Sequence, residues 1–129
     1  MKIQKSSEDY LEMILMLQEI KGFARSIDIA TQLCVTKPSV SYATKRLREN
    51  GYITMDTDGL ITLTQSGFEI AFRMYNRHKM LTDFLVSIGI DEETAREDAC
   101  KMEHDLSDKS FEAMCRFSNW SQDKGNSKQ

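Results

Sequence analysis

The only proline in the chain, Pro38, follows Thr36 and Lys37 and leads into Val40, Ala43, Thr44 and Leu47 at helical spacing. Proline breaks a helix interior but is tolerated in the first turn, where its missing N–H has no partner in any case. With Thr36 as cap, the pattern predicts a helix that starts here and stops at Asn50-Gly51, a pair suited to a helix C-terminus. No other position in the chain carries that interruption, so a mainly α fold is expected.

The flanking segments set the order of elements. Ser6 is expected to cap a first helix carrying Tyr10, Met13, Ile14 and Leu17, which ends at Lys21-Gly22. Ser26 is expected to cap a short second helix through Ile27, Ile29, Ala30 and Leu33. After the Pro-started helix, two short alternating runs, Tyr52 to Met55 and Leu60 to Leu63, are joined by Asp56-Thr57-Asp58-Gly59 and read as a β-hairpin. This is the order of a winged helix-turn-helix. Thr64 then caps a long helix expected to reach Gly89, with a seam of Ala71, Met74, His78, Leu81, Leu85 and Ile88. Asp91 caps the next helix, expected to reach His104, and Ser107 caps a last one holding Phe111, Met114 and Phe117. Beyond Trp120 the polar tail is expected to fray. The organisation is a DNA-binding domain over 1–72 followed by a helical domain over 73–129.

Charge is unevenly spread along the 129 residues, whose formal net charge is −3. Residues 1–80 hold 11 Lys and Arg against 9 Asp and Glu, and the remainder hold 6 against 11. The first part can face phosphate, while the second is acidic enough to attract cations. In a helix-turn-helix, the second helix enters the major groove by its N-terminal residues. Here those are Thr36, Lys37, Pro38, Ser39, Ser41 and Tyr42, with Lys45, Arg46 and Arg48 toward the phosphates and Arg25 ahead of the short helix. A solvated basic helix with ordinary caps is the plainer alternative, and the hairpin that follows favours double-stranded DNA. No apolar run approaches membrane-span length and the N-terminus has no signal-peptide core, so a cytoplasmic protein is expected. Cys34, Cys100 and Cys115 are odd in number and lack a C-x-x-C, which excludes a disulfide framework. Cys34 reads as a small buried hydrophobe.

Two clusters could ligate a metal. Cys100, Glu103 and His104 fall at i, i+3 and i+4, and Asp9 and Glu12 at i and i+3, so each set shares a helix face. His78 lies between them on an apolar seam. Each has an ordinary explanation: Asp9 as a first-turn acid in a capping box with Ser6, Glu12 as a surface acid, His78 as a core histidine and Cys100 as a small buried residue. Together Asp9, Glu12, His78, Cys100, Glu103 and His104 form a thiolate, imidazole and carboxylate set for one or two divalent cations. Thiolate favours Fe2+, Co2+ or Zn2+, and carboxylates favour Mn2+ or Fe2+, so Fe2+ is expected, Mn2+ next, with Zn2+ or Co2+ as substitutes.

With these motifs, Ser7-Glu8-Asp9-Tyr10-Leu11-Glu12, Arg77-His78 and Cys100-x-x-Glu103-His104-x-Leu106-Ser107, the chain resembles the diphtheria toxin repressor and manganese transport regulator family of bacterial metalloregulators over residues 6 to 118. The resemblance implies a winged helix-turn-helix followed by a helical dimerisation domain, with metal bound where the two meet. It also implies a homodimeric repressor of metal-uptake genes, controlling metal homeostasis. Asp9 and Glu12 look like the manganese branch, and Cys100 looks like the iron branch. The iron branch's ancillary ligands fall on Thr82 and Arg96, which do not reproduce them. The chain ends soon after Trp120, like the short form without an SH3-like domain. Phe84, Phe111, Met114, Phe117 and Trp120 are expected to supply the apolar surface of a dimer. Two other classes stay open: a winged-helix regulator gated by an organic ligand, and a di-metal carboxylate enzyme. The enzyme would ordinarily need paired Glu-x-x-His elements, which are missing. Neither an enzyme, nor a membrane partner, nor an organic cofactor is expected.

Overall fold

The computed structural model describes residues 5–118. Its elements are α1 (Lys5–Lys21), α2 (Ser26–Leu33), α3 (Lys37–Glu49), β1 (Ile53–Met55), β2 (Ile61–Leu63), α4 (Gln65–Ser87), α5 (Glu92–Met102) and α6 (Asp108–Ser118). They form a mainly α chain with one small sheet, the arrangement of a winged helix-turn-helix followed by further helices. The chain divides into two compact units, Met1–Arg73 and Met74–Gln129, with the boundary inside α4. Among the described residues no helix is long and apolar enough to cross a membrane.

In the first unit, α1, α2, α3 and the hairpin pack on one another. Leu11, Ile14, Ile29, Val40, Leu47, Ile53 and Ile61 are all buried there. Each such aliphatic side chain withdrawn from water contributes about 1.5–3 kcal/mol. The strands pair antiparallel, Ile53 opposite Leu63 and Met55 opposite Ile61. Ile61 N–H also donates to the Ala24 carbonyl at 2.9 Å, so the α1–α2 connection covers one edge of the sheet. Thr64 Oγ1 accepts the Gly67 N–H at 3.2 Å and donates to the Gly51 carbonyl at 2.7 Å, which ties the entry of α4 to the start of the hairpin.

The second unit centres on Met80, Leu81 and Ala99, with Phe84, Met102, Leu106, Phe111, Met114 and Cys115 packed against them. Asp91 caps α5 by accepting the Thr94 N–H at 3.0 Å, and Ser107 caps α6 by accepting the Ser110 N–H at 3.1 Å.

Several local expectations are corrected. Ser6 lies inside α1, and Ser26 is the first residue of α2, preceded by Arg25 in the cap position without a side-chain bond. The long helix stops at Ser87, because Gly89 turns the chain at φ +107; Ile88 therefore leaves the seam and is 61% exposed. The next helix stops at Met102, with Glu103 as its C-cap, so His104 lies in the following turn. Cys34 is exposed, not buried: it ends α2 in the left-handed conformation, φ 56, and donates its N–H to Ala30. No correction falls on the residues expected at a dimer surface: Phe84, Phe111 and Met114 are partly buried against the core of the second unit, and Phe117 is exposed. Trp120 and the polar tail lie outside the described residues.

Candidate metal centre and recognition helix

The burial pattern of α3 follows its period. Val40, Thr44 and Leu47 are buried on one face, and Lys37, Pro38, Ser39, Ser41, Tyr42, Lys45 and Arg46 are exposed. Thr36 is also exposed, and its Oγ1 accepts the Ser39 N–H at 3.2 Å as the expected cap. Arg25 is exposed with its guanidinium 5.8 Å from the Phe23 ring centre. Arg46 Nη1 donates to the Tyr42 hydroxyl at 3.2 Å and sits 5.8 Å from its ring centre, a pairing that the i, i+4 spacing allows. The exposed face thus presents a hydroxyl-guanidinium pair beside the exposed Lys45.

The metal-capable residues of the second unit meet around Glu103. His78, half-buried on α4, places Nδ1 3.0 Å from Glu103 Oε1. Cys100, at the end of α5, places Sγ 3.8 Å from the same nitrogen. All three donor atoms lie within 4.8 Å of one another. Bonds of about 2.3 Å to sulfur and about 2.0 Å to nitrogen around a tetrahedral ion would space those two donors by about 3.5 Å, so the set fits a divalent cation with little movement. His104 Nε2 lies 3.4 Å from Glu103 Oε2, and both side chains are almost wholly buried. Since α5 has already ended, this adjacency comes from the turn and not from a shared helical face.

Asp9 and Glu12 share one face of α1 in the first unit. Glu12 is buried, which removes the surface-acid explanation. Asp9 is half-buried, and Ser6, being helical, cannot form the capping box that would have explained it. Burial, and after it the Asp9 carboxylate, raises the Tyr10 pKa above its ordinary value. Cys100 is exposed, so the small-buried-residue explanation fails there too. Thr82 is buried and Arg96 is an exposed partner of Glu92, so neither offers a further ligand.

Arg77, quoted above only as part of a motif, has a definite place. Its nearly buried guanidinium donates through Nη1 to the carbonyls of Glu103 at 3.0 Å and Leu106 at 2.7 Å, and through Nη2 to Asp108 Oδ1 at 2.5 Å. The signal was available: Met74, Arg77 and Leu81 alternate by three and four, and an arginine on an apolar stripe is seldom buried without partners.

Comparison with known proteins agrees with both halves. Residues 2–59 match the family described as iron dependent repressor, N-terminal DNA binding domain, and residues 64–123 match the iron dependent repressor, metal binding and dimerisation domain. An uncharacterised HTH-type transcriptional regulator of Methanocaldococcus jannaschii is 38% identical over 117 residues, covering 89% of this chain and 94% of that protein. The HTH-type transcriptional regulator MntR of Bacillus subtilis is 41% identical over 102 residues, covering 79% of this chain and 72% of that protein. A solved manganese-dependent transcriptional repressor in complex with manganese superposes with a TM-score of 0.82 at 28% identity, covering 90% of this chain. The chain spans about half of that solved protein, 54% of its length.

Proposed function

The chain belongs to the diphtheria toxin repressor and manganese transport regulator family of metal-dependent transcriptional regulators, which are not enzymes, and we propose that it is a cytoplasmic, homodimeric repressor of metal-uptake genes that binds operator DNA when loaded with Fe2+ or Mn2+. The observation that carries the reading is the grouping of His78 Nδ1, Cys100 Sγ and Glu103 Oε1 within 4.8 Å in a chain that also presents an exposed, Pro-started recognition helix.

In this reading His78, Cys100, Glu103 and His104 hold the cation together with Asp9 and Glu12 of α1. When bound, the ion supplies positive charge that neutralises the carboxylates and thiolate and links their positions. The family's iron-dependent description and the manganese in the solved relative bracket the choice of ion, and the thiolate of Cys100 tips it toward Fe2+. The protein's own residues do the rest. Asp9 and Glu12 belong to the helix that packs on α2 and α3, so fixing α1 fixes the recognition helix. In a dimer this sets two recognition helices at a spacing near one DNA turn, about 34–36 Å. Metal would then act by population shift, binding the DNA-competent arrangement better than the loose one. Thr36, Lys37, Pro38, Ser39, Ser41 and Tyr42 then face base edges, and Arg25, Lys45 and Arg46 face phosphate.

Operator binding measured by fluorescence anisotropy tests the switch. It should weaken steeply with EDTA and recover on addition of Fe2+ or Mn2+. Equal affinity with chelator and with metal would rule the reading out.

A further inference from the structure

We propose that Arg77 is a positioning residue that presets Glu103 and His104 for the cation and couples the metal turn to α6, an inference that rests on the metal-dependent reading above. Residues 103–107 lead from the end of α5 to α6 in a short turn, in which the Glu103 and Leu106 carbonyls lie outside both helices. Such carbonyls need partners from outside the helix. Arg77 supplies them: one guanidinium nitrogen takes the carbonyls of both Glu103 and Leu106, and the other takes the carboxylate of Asp108, the first residue of α6. The Phe111 ring centre stands 5.0 Å from the guanidinium carbon, one turn further along α6.

Glu103 is therefore gripped at both ends by consecutive residues of α4, its carbonyl by Arg77 and its carboxylate by His78. The first grip does not depend on metal, and the second involves atoms that would face one. A guanidinium suits the first role because its fork of donors is planar and permanently charged, whereas a lysine ammonium offers a single point charge. The cation at the end of α5 also complements the negative end of that helix. Asp108, whose side chain is 77% exposed, reaches the cluster only through Arg77 among the contacts described. A metal-affinity change on altering Asp108 would thus report the coupling itself.

The test uses the full chain with Co2+ as probe, read through the thiolate-to-cobalt charge-transfer band and the visible ligand-field bands, together with metal-free thermal unfolding in EDTA. The variants are Arg77→Lys, Arg77→Met and Asp108→Asn. Outer-shell partners of this kind ordinarily change metal affinity by about 10–100-fold. Arg77→Lys should weaken Co2+ within that range, Arg77→Met more, and Asp108→Asn by less than Arg77→Lys. The ligand-field bands should shift in position or intensity in all three, which a uniform loss of stability would not cause. If Arg77→Lys fails to fold, Asp108→Asn decides alone. Wild-type affinity and unshifted bands in a folded Arg77→Lys or Asp108→Asn protein overturn the proposal. Absence of any cobalt signal in the unsubstituted chain overturns the metal-dependent reading and this inference together, so the two failures are distinguishable.

Discussion

Cys100 Sγ lies 3.8 Å from His78 Nδ1, across 22 residues of sequence; Cys100 is exposed, whereas Glu103, the carboxylate of the same group, is fully buried. The thiol is thus the one soft donor in the group, and it is carried by the most exposed of the three residues. Replacing it should change which ion is preferred more than whether an ion binds. Cys100→Glu should shift preference toward Mn2+, since a hard carboxylate replaces a soft thiolate. Cys100→Ser should weaken Fe2+, Co2+ and Zn2+ more than Mn2+. Competition titrations give the ratio, and an unchanged Co2+ to Mn2+ ratio in both variants would show that the sulfur is not a ligand.

The three thiols should also differ in reactivity. Cys34 and Cys100 are exposed, while Cys115 is half-buried, and burial first, then the Glu112 carboxylate, raises its thiol pKa above the ordinary 9.0. Alkylation proceeds through the thiolate. At pH 8, Cys34 and Cys100 should label quickly and Cys115 slowly, with Cys115 catching up only at more alkaline pH. Metal should protect Cys100 alone. Mass spectrometry of labelled peptides resolves the sites, and metal protection of Cys34 equal to that of Cys100 would point to a general tightening instead of ligation.

The features legible from sequence were those set by local chemistry. Thr36, Thr64, Asp91 and Ser107 cap their helices as read, because a cap needs only a side-chain oxygen and an N–H three residues on. Ser6 and Ser26 misled for the same reason: a cap-type residue is equally able to sit in the first turn, and the choice depends on what packs around it. The end of α5 was misplaced because nothing in Cys100-Lys101-Met102-Glu103-His104 breaks a helix. Arg77 donates to the Glu103 and Leu106 carbonyls in the turn that follows, and such long-range bonds leave no local mark in the sequence. Cys34 looked buried from its apolar neighbours Leu33 and Val35, but it is the exposed left-handed residue that ends α2.

On the DNA side, the Tyr42–Arg46 pair makes the two residues one unit. Tyr42→Ala should relax base preference and also free Arg46, whereas Tyr42→Phe should do the second with less of the first. Lys45 is exposed. Its substitution by Ala should weaken all sequences alike and reduce the salt slope of log K by about 1. Anisotropy titrations over a salt series, with operator and scrambled duplexes, separate these effects. A changed sequence preference with an unaltered salt slope in Lys45→Ala would contradict the assigned orientation of α3.

Gly67 provides a test in which two physical effects predict opposite signs. It is the third residue of α4, and replacing glycine with alanine in a helix interior ordinarily stabilises by about 1 kcal/mol, which is an upper bound for the first turn. Here a Cβ would stand 2.0 Å from the Tyr52 carbonyl oxygen and 3.0 Å from its carbon. Those atoms are backbone and cannot swing aside, and the same carbonyl accepts the Thr64 N–H at 3.0 Å. To admit the methyl group, α4 must move away from the hairpin, straining the Thr64 hydroxyl's bonds to Gly51 and Gly67. Overpacking of this kind costs about 1–3 kcal/mol, so the steric effect outweighs propensity. Gly67→Ala should therefore lower the urea midpoint of the full chain. Because the displaced contact lies at the base of the wing, operator affinity should fall with it even at saturating metal. A midpoint that rises, as helix propensity alone would have it, would mean that α4 does not approach Tyr52 as closely as the structure has it.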